Sequence, residues 1–209
     1  SEGDENKQRV APSIANGIAY DLEGVYLAAG SGASAGYANG QAPLARFASP
    51  HSLAFDPAGN LFVTDTTNSA IRKITPAGMV STAAGQPRYP GMPITPDSIT
   101  FLGSPEEVAF DAAGNMYFID SQTVIRVNAA GEKHNLYRPA GPGSTALAVA
   151  PDGTLFVGAS TSIKRVSPQG VVDTLAGSDA GGVADGTGAA ASFYKIEGLA
   201  LAADGSLYA

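Results

Sequence analysis

Four side chains that could do chemistry recur at one place in the sequence: His51, Glu106, Thr145 and Glu197, spaced by 55, 39 and 52 residues. An imidazole and two carboxylates are nitrogen and oxygen ligands of the kind that hold a divalent metal. The set His51, Glu106 and Glu197 is therefore a candidate metal site, with zinc suiting the imidazole and calcium suiting the acids. Without a metal, all four are candidate ligand-binding groups. Asp65 and Asp120 are two further carboxylates at matching positions. Such residues more often accept backbone N–H bonds in an adjoining turn than act as catalysts. Lys73, Arg126 and Arg165 also align, as a row of bases expected to be solvated beside local acids. His134 reads as an exposed residue on an edge strand. With two histidines and no cysteine, no Ser–His–Asp constellation and no thiol nucleophile is expected, and no catalytic residue is assigned.

These positions are comparable because the chain repeats. PHSLAFDPAGNLFVTDTTNSAIRKITPAGMVSTAAG (50–85), PEEVAFDAAGNMYFIDSQTVIRVNAAGEKHNLY (105–137) and STALAVAPDGTLFVGASTSIKRVSPQGVVDTLAG (144–177) align on their turns, and IEGLALAADGSLYA (196–209) begins a fourth unit. A first turn ends at Gly59, Gly114, Gly153 and Gly205, and a second at Gly78, Gly131 and Gly170. Asp56-Pro57-Ala58-Gly59 suits a type I turn: proline presets φ, and glycine takes the left-handed position that follows. The runs between turns are short and rich in Val, Ile, Phe and Leu, which suits strands rather than helices. Each unit is thus expected to be a sheet of about four antiparallel strands: SLAF, LFVTD, AIRKI and MVSTAA in the first.

Four short strands in every 40–50 or so residues is the signature of a propeller blade. One such sheet cannot cover both its faces, whereas stacking sheets around an axis covers them. The expected fold is all-β: a β-propeller of four-stranded antiparallel blades, about four of them in this chain, as part of a six-bladed ring or closed as a smaller one. The expected divisions are a mobile tail (1–17), a partial blade (18–30), blades at 50–86, 104–138 and 144–177, and a partial blade (195–209). The two partial blades could complete each other through a shared sheet. Residues 18–30 read as the last two strands of a blade in preference to the first two.

A second repeat joins the blades. GYANGQAPLARF (36–47) matches GVADGTGAAASF (182–193), and each follows a strand ending in Ala-Gly. Phe47 and Phe193 are the expected anchors between neighbouring blades. The Gly-rich stretches Gly30–Gly40 and Gly177–Gly188 lack the Gly-Lys-Ser/Thr ending and following helix of a phosphate loop. They read as connectors, with Asp179 and Asp185 a weak calcium candidate. Together, AAGSGASAGYANG…ARF…P and LAFDPAGNLFVTDTTNSAIRKITPAGMVSTAAG resemble the NHL-repeat β-propellers. The resemblance covers about residues 18 to 209, and Ala159 departs from it where Asp65 and Asp120 stand. It implies six blades as a common ring size, and RNA binding in some members. Pro50-His51-Ser52-Leu53-Ala54 resembles the Pro-His pattern that opens blades in an amidating-lyase branch, where histidines from several blades hold zinc. Only His51 matches that pattern here.

Composition narrows the function. Against 12 Lys and Arg stand 19 Asp and Glu, a net charge of -7, which argues against nucleic acid because phosphate binding needs a basic stripe. No apolar run reaches the roughly 20 residues of a membrane span. The first residues, SEGDENKQRVAPS, are charged and hold no apolar signal region, as in a mature exported protein or an excised domain. The reading is a non-enzymatic binding or scaffold propeller that recognises a protein, peptide or glycan on one face, secreted, periplasmic or at the cell surface. Exposed aromatics such as Tyr37, Tyr89 and Tyr137 would mark that face. One alternative is a metal-dependent hydrolase or lyase at the channel mouth. Another is a structural module of an extracellular assembly, self-associating by strand pairing at open blade ends.

Overall fold

The run Leu61–Asp65 is buried at every residue, which a sheet allows only if both of its faces are covered. The fold supplies that cover by setting sheets side by side. The computed structural model describes residues 29–30, 35–86, 102–139, 143–178 and 180–209, with the backbone of three short strands nearer the N-terminus.

Those strands, β1 (Ser13–Ala15), β2 (Ile18–Asp21) and β3 (Gly24–Leu27), form an antiparallel sheet in the order β1-β2-β3. The first of them falls within the stretch expected to be a tail. Blade 1 comprises β5 (Pro50–Phe55), β6 (Leu61–Asp65), β7 (Ala70–Ile74) and β8 (Met79–Gly85), with the short β4 (Gly40–Gln41) added outside β8. Blade 2 comprises β9 (Pro105–Phe110), β10 (Met116–Asp120), β11 (Thr123–Val127) and β12 (Lys133–Tyr137). Blade 3 comprises β13 (Ser144–Val149), β14 (Leu155–Ala159), β15 (Ser162–Val166) and β16 (Val172–Gly177). Counting from blade 1, a fourth sheet holds β17 (Ala200–Leu201) and β18 (Leu207–Tyr208). Among the described residues the ladders of β1–β3 and of β17–β18 stay separate, so no shared sheet joins the two partial blades there.

The first strands β5, β9, β13 and β17 lie next to one another in succession. They are the innermost strands, and the sheets radiate outward from them. The core lies between blades. Phe62, Ile71 and Ala84 of blade 1 pack on Val108, Phe118 and Ile125 of blade 2. Tyr117, Ile119 and Val124 of blade 2 pack on Leu147, Leu155 and Val157 of blade 3. Ala146 and Ile163 of blade 3 pack on Ile196 at the start of the next.

The turns take the form their residues demand. Gly59 donates to the Asp56 carbonyl at 3.0 Å with φ of 80°, and Asp56 N–H donates to the Asn60 carbonyl at 2.9 Å. The same closing bond recurs at Gly114, Gly153 and Gly205, and in the second turns at Gly78, Gly131 and Gly170. This is the type I turn with a left-handed glycine expected from Asp-Pro-Ala-Gly.

Glycine has a different task at the blade joints. Gly30, Gly85 and Gly177 all have positive φ (105°, 72° and 81°), and each lies under the anchor of the following blade. A Cβ there would stand 3.6 Å from Phe47, 3.0 Å from Leu102 and 2.9 Å from Phe193, respectively. Phe47 and Phe193 are therefore anchors, as their repeat implied, and Leu102 is the third.

Candidate functional site

The connector before blade 1 is held by one arginine. Gly36 and Phe47 close it through an N–H to carbonyl bond of 3.1 Å, and Ala38 and Arg46 exchange bonds inside it. The equivalent bonds, Gly182 to Phe193 at 3.1 Å and Ser192 to Ala184 at 2.9 Å, build the second connector the same way. Arg72, fully buried, reaches into the first connector. It donates to the Arg46 carbonyl (2.9 Å), the Ala38 carbonyl (2.7 Å), Asn39 Oδ1 (2.7 Å) and Asp65 Oδ2 (2.9 Å). Its guanidinium lies between two rings, 4.5 Å from the centre of Tyr37 and 5.0 Å from that of Phe47. Such stacking suits the flat, delocalised cation.

Asp65 is thus structural. It accepts Ala48 N–H at 2.6 Å and Asn68 Nδ2 at 2.8 Å besides Arg72. Asp120 accepts Gly103 N–H (2.8 Å) and Ser104 N–H (2.7 Å). Both carboxylates cap the segment leading into their blade, which is the plainer of the two roles weighed for them. Blade 3 has Ala159 at this place, and the buried Ser144 hydroxyl at its start has no hydrogen-bond partner. The aligned bases each find a neighbour: Lys73 lies 5.7 Å from the Phe62 ring centre, Arg165 pairs with Asp173, and Arg126 adjoins Tyr117. His134 is exposed on the outermost strand of blade 2.

His51, Glu106 and Thr145 are the second residues of β5, β9 and β13, Glu197 lies three residues before β17, and only His51 and Glu106 touch each other. His51 Nδ1 lies 3.1 Å from the Glu106 carbonyl oxygen. Thr145 Oγ1 donates to the Ile196 carbonyl. Glu197 turns to Lys195, with Nζ to Oε1 at 2.6 Å, both exposed. The carboxylate that faces His51 is Glu107 rather than Glu106, at 3.9 Å. Among the described residues no three His, Asp or Glu side chains gather as a metal-holding group. The trio His51, Glu106 and Glu197 is therefore not assembled, because Glu197 bonds within its own segment and Glu106 offers its backbone.

Glu107 was not among the expected site residues. It accepts the Ser52 hydroxyl at 3.1 Å, and Ser52 Oγ in turn accepts Val108 N–H at 3.4 Å. Thr64, fully buried, completes the seam by donating to the Glu106 carbonyl at 2.8 Å. Burial holds the Glu107 carboxyl above its ordinary 4.5, against the lowering effects of the Ser52 hydrogen bond and the His51 imidazole. A carboxyl with a raised folded-state pKa binds its proton more tightly folded than unfolded. The stability it adds is present below pH 4.5 and is lost as pH rises through its folded value. Glu107→Gln, which keeps an acceptor for Ser52, should raise the urea midpoint at neutral pH and flatten its decline above pH 4.5. A lower midpoint at neutral pH would show that attraction to His51 outweighs burial.

Of the tyrosines expected to mark a binding face, Tyr37 and Tyr137 do not do so. Tyr37 stacks on Arg72 and bonds Thr82 Oγ1 at 2.5 Å, and Tyr137 packs against the core between blades 2 and 3. Tyr89 lies outside the described residues. Among the described residues the exposed aromatics are Phe55, Tyr194 and Tyr208, at 40%, 80% and 63%. Asp185 is exposed, and Asp179 lies outside the described residues.

Sheets radiating from an inner ring of first strands, with the core between sheets, define a β-propeller. The fold is that of a β-propeller, and within it residues 47–74 match the NHL repeat family model. Solved structures of similar fold include a streptogramin B lyase (11% identity, TM-score 0.54, 77% of this chain and 47% of that one). They also include virginiamycin B lyase from Staphylococcus aureus (16%, 0.53, 76% and 47%). A third is a chain of the nidogen/laminin complex (20%, 0.55, 78% and 55%). The chain spans about half the length of these proteins. No curated protein matches it in sequence. No helix among the described residues is long and apolar enough to cross a membrane.

Proposed function

We propose that the chain belongs to a binding propeller that recognises a protein, peptide or glycan at the end where its innermost strands begin. His51, Glu106, Thr145 and Glu197 contribute to that face, joined by Ser52 and Glu107. The observation that carries this reading is the state of the Ser52 hydroxyl. It donates to Glu107 and accepts from Val108 N–H, so its proton is not directed at His51 as a nucleophile's would be. His51, Ser52 and Thr64 bond Glu106 and Glu107 across the seam to blade 2, and such fixed polar groups suit recognition with little ordering cost. The nidogen/laminin complex is the precedent for this fold within a protein assembly. A secreted, periplasmic or cell-surface location accords with such a role.

The second reading is a metal-dependent lyase or hydrolase. The exposed His51 imidazole and the two lyases of similar fold favour it. One experiment separates the two. The purified chain and its His51→Ala/Glu197→Lys variant are compared for metal content by mass spectrometry and for proteins or glycans retained from extracts of the source organism. A partner retained by the wild type and weakened about tenfold or more in a variant of unchanged melting temperature is the expected result. Equal retention by both would overturn this face as the binding site. One metal per chain, lost in the variant, would favour the lyase or hydrolase.

A further inference from the structure

The opposite end of the innermost strands carries a second feature. Phe55, Phe110 and Val149, the last residues of β5, β9 and β13, line an open hollow of about 250 Å³ together with Pro57 and Pro151. Three blades meet there, and their apolar side chains form its floor. Phe55 is 40% exposed. The hollow is smaller than the roughly 300–1,000 Å³ of sites for drug-sized ligands, so it suits one side chain rather than a cofactor.

Charge decides which side chain. Asp56 and Asp111 stand in the lining. The first turns of blade 3 and of the fourth sheet add Asp152 and Asp204 on the same face. None of the four has an ion-pair partner among the described residues. Backbone N–H groups of Thr154 and Ser206 hold Asp152 and Asp204 below the usual carboxylate range, which keeps them charged. An apolar floor ringed by fixed negative charge attracts a cation and shelters the stem that carries it.

We propose that this face binds a basic polypeptide segment, seating one lysine or arginine stem in the hollow between Phe55, Phe110 and Val149. The site lies at the other end of the strands from His51 and does not depend on what the His51 face binds. Adjacent basic residues of the segment meet Asp152 and Asp204. The attraction is steered by charge and falls with added salt.

The probe is fluorescein-labelled octalysine, followed by anisotropy with the whole chain. It is compared with an octapeptide of diaminopropionic acid, which has the same charge and no long stem. Asp152→Asn keeps an acceptor for the turn N–H groups, and Phe55→Ala opens the floor. Each is expected to weaken octalysine binding by about three- to tenfold. Asp185→Asn, which removes the same charge from the connector before the fourth sheet, should leave binding unchanged. Thermal melts confirm that each variant is folded. Equal losses from Asp152→Asn and Asp185→Asn would reduce the effect to net charge and overturn the site. Equal affinity for the two peptides would overturn seating of the stem, and no binding of octalysine would overturn the whole proposal. None of these results bears on the His51 face, which its own variant tests.

Discussion

Arg72→Ala should destabilise the chain by about 3–5 kcal/mol, because it leaves the buried Asp65 carboxylate without its cation. Both side chains of the pair are fully buried. The substitution also leaves the Arg46 and Ala38 carbonyls and Asn39 Oδ1 without their donor. A double-mutant cycle separates the pair from the rest. Arg72→Met keeps the bulk between Tyr37 and Phe47, and Asp65→Asn keeps an acceptor for Ala48 N–H. A coupling energy of about 2–3 kcal/mol between them, from urea denaturation, is the expected outcome. A coupling near zero would mean that the arginine acts by filling space between the rings. In Arg72→Met, proteolysis should cut the connector 36–47 faster than in the wild type, since that segment loses its clasp.

Gly85→Ala should cost a comparable amount, about 3 kcal/mol, for a different reason. A Cβ at residue 85 would lie 2.1 Å from the Ser69 carbonyl oxygen and 2.9 Å from Ala70 Cα. Backbone cannot rotate away as a flexible side chain does. The φ of 72° adds the usual left-handed strain for a residue with a Cβ. Gly59→Ala is the control. Its φ of 80° is similar, but nothing lies within 4 Å of the added atom, so only about 1–2 kcal/mol of strain is expected. A difference of less than about 0.5 kcal/mol between the two would show that blade 1 shifts to make room, and that the joint is looser than its distances imply.

The blades were legible because their information is local. Proline and glycine at fixed turn positions act through φ alone, so PAG and PDG mark the same hairpin wherever they stand. Connector anchoring was legible as well, since Phe47 and Phe193 recur within matching strings. Arg72 was not. In Ala70-Ile71-Arg72-Lys73-Ile74 two bases stand side by side, and only the strand's orientation shows which one enters the connector. The aligned one, Lys73, stays partly exposed on the other face.

Glu107 was missed for a related reason. Pairing slips between Pro50 and Leu53 on β5, and between Phe118 and Asp120 on β10. A bulge changes which of two consecutive residues faces the neighbouring blade, so aligning the repeats selected Glu106. Among the described residues His51, Glu106 and Glu197 do not gather into one metal-holding group. Equivalent positions in successive blades lie around a ring, and equivalence alone does not bring side chains into contact.

The glycine under each anchor also determines where the chain divides into transferable parts. A module cut from the first strand to the fourth ends on a glycine whose covering residue belongs to the following module, and begins without an anchor of its own. A module cut from Phe47 to Gly85 carries its own anchor and ends on the socket for the next. Grafts, blade duplications and rearranged chain orders should therefore be spliced just before Phe47, Leu102 or Phe193. There the new junction inherits a matched plug and socket, whereas a cut at the strand boundaries separates the two halves of every joint.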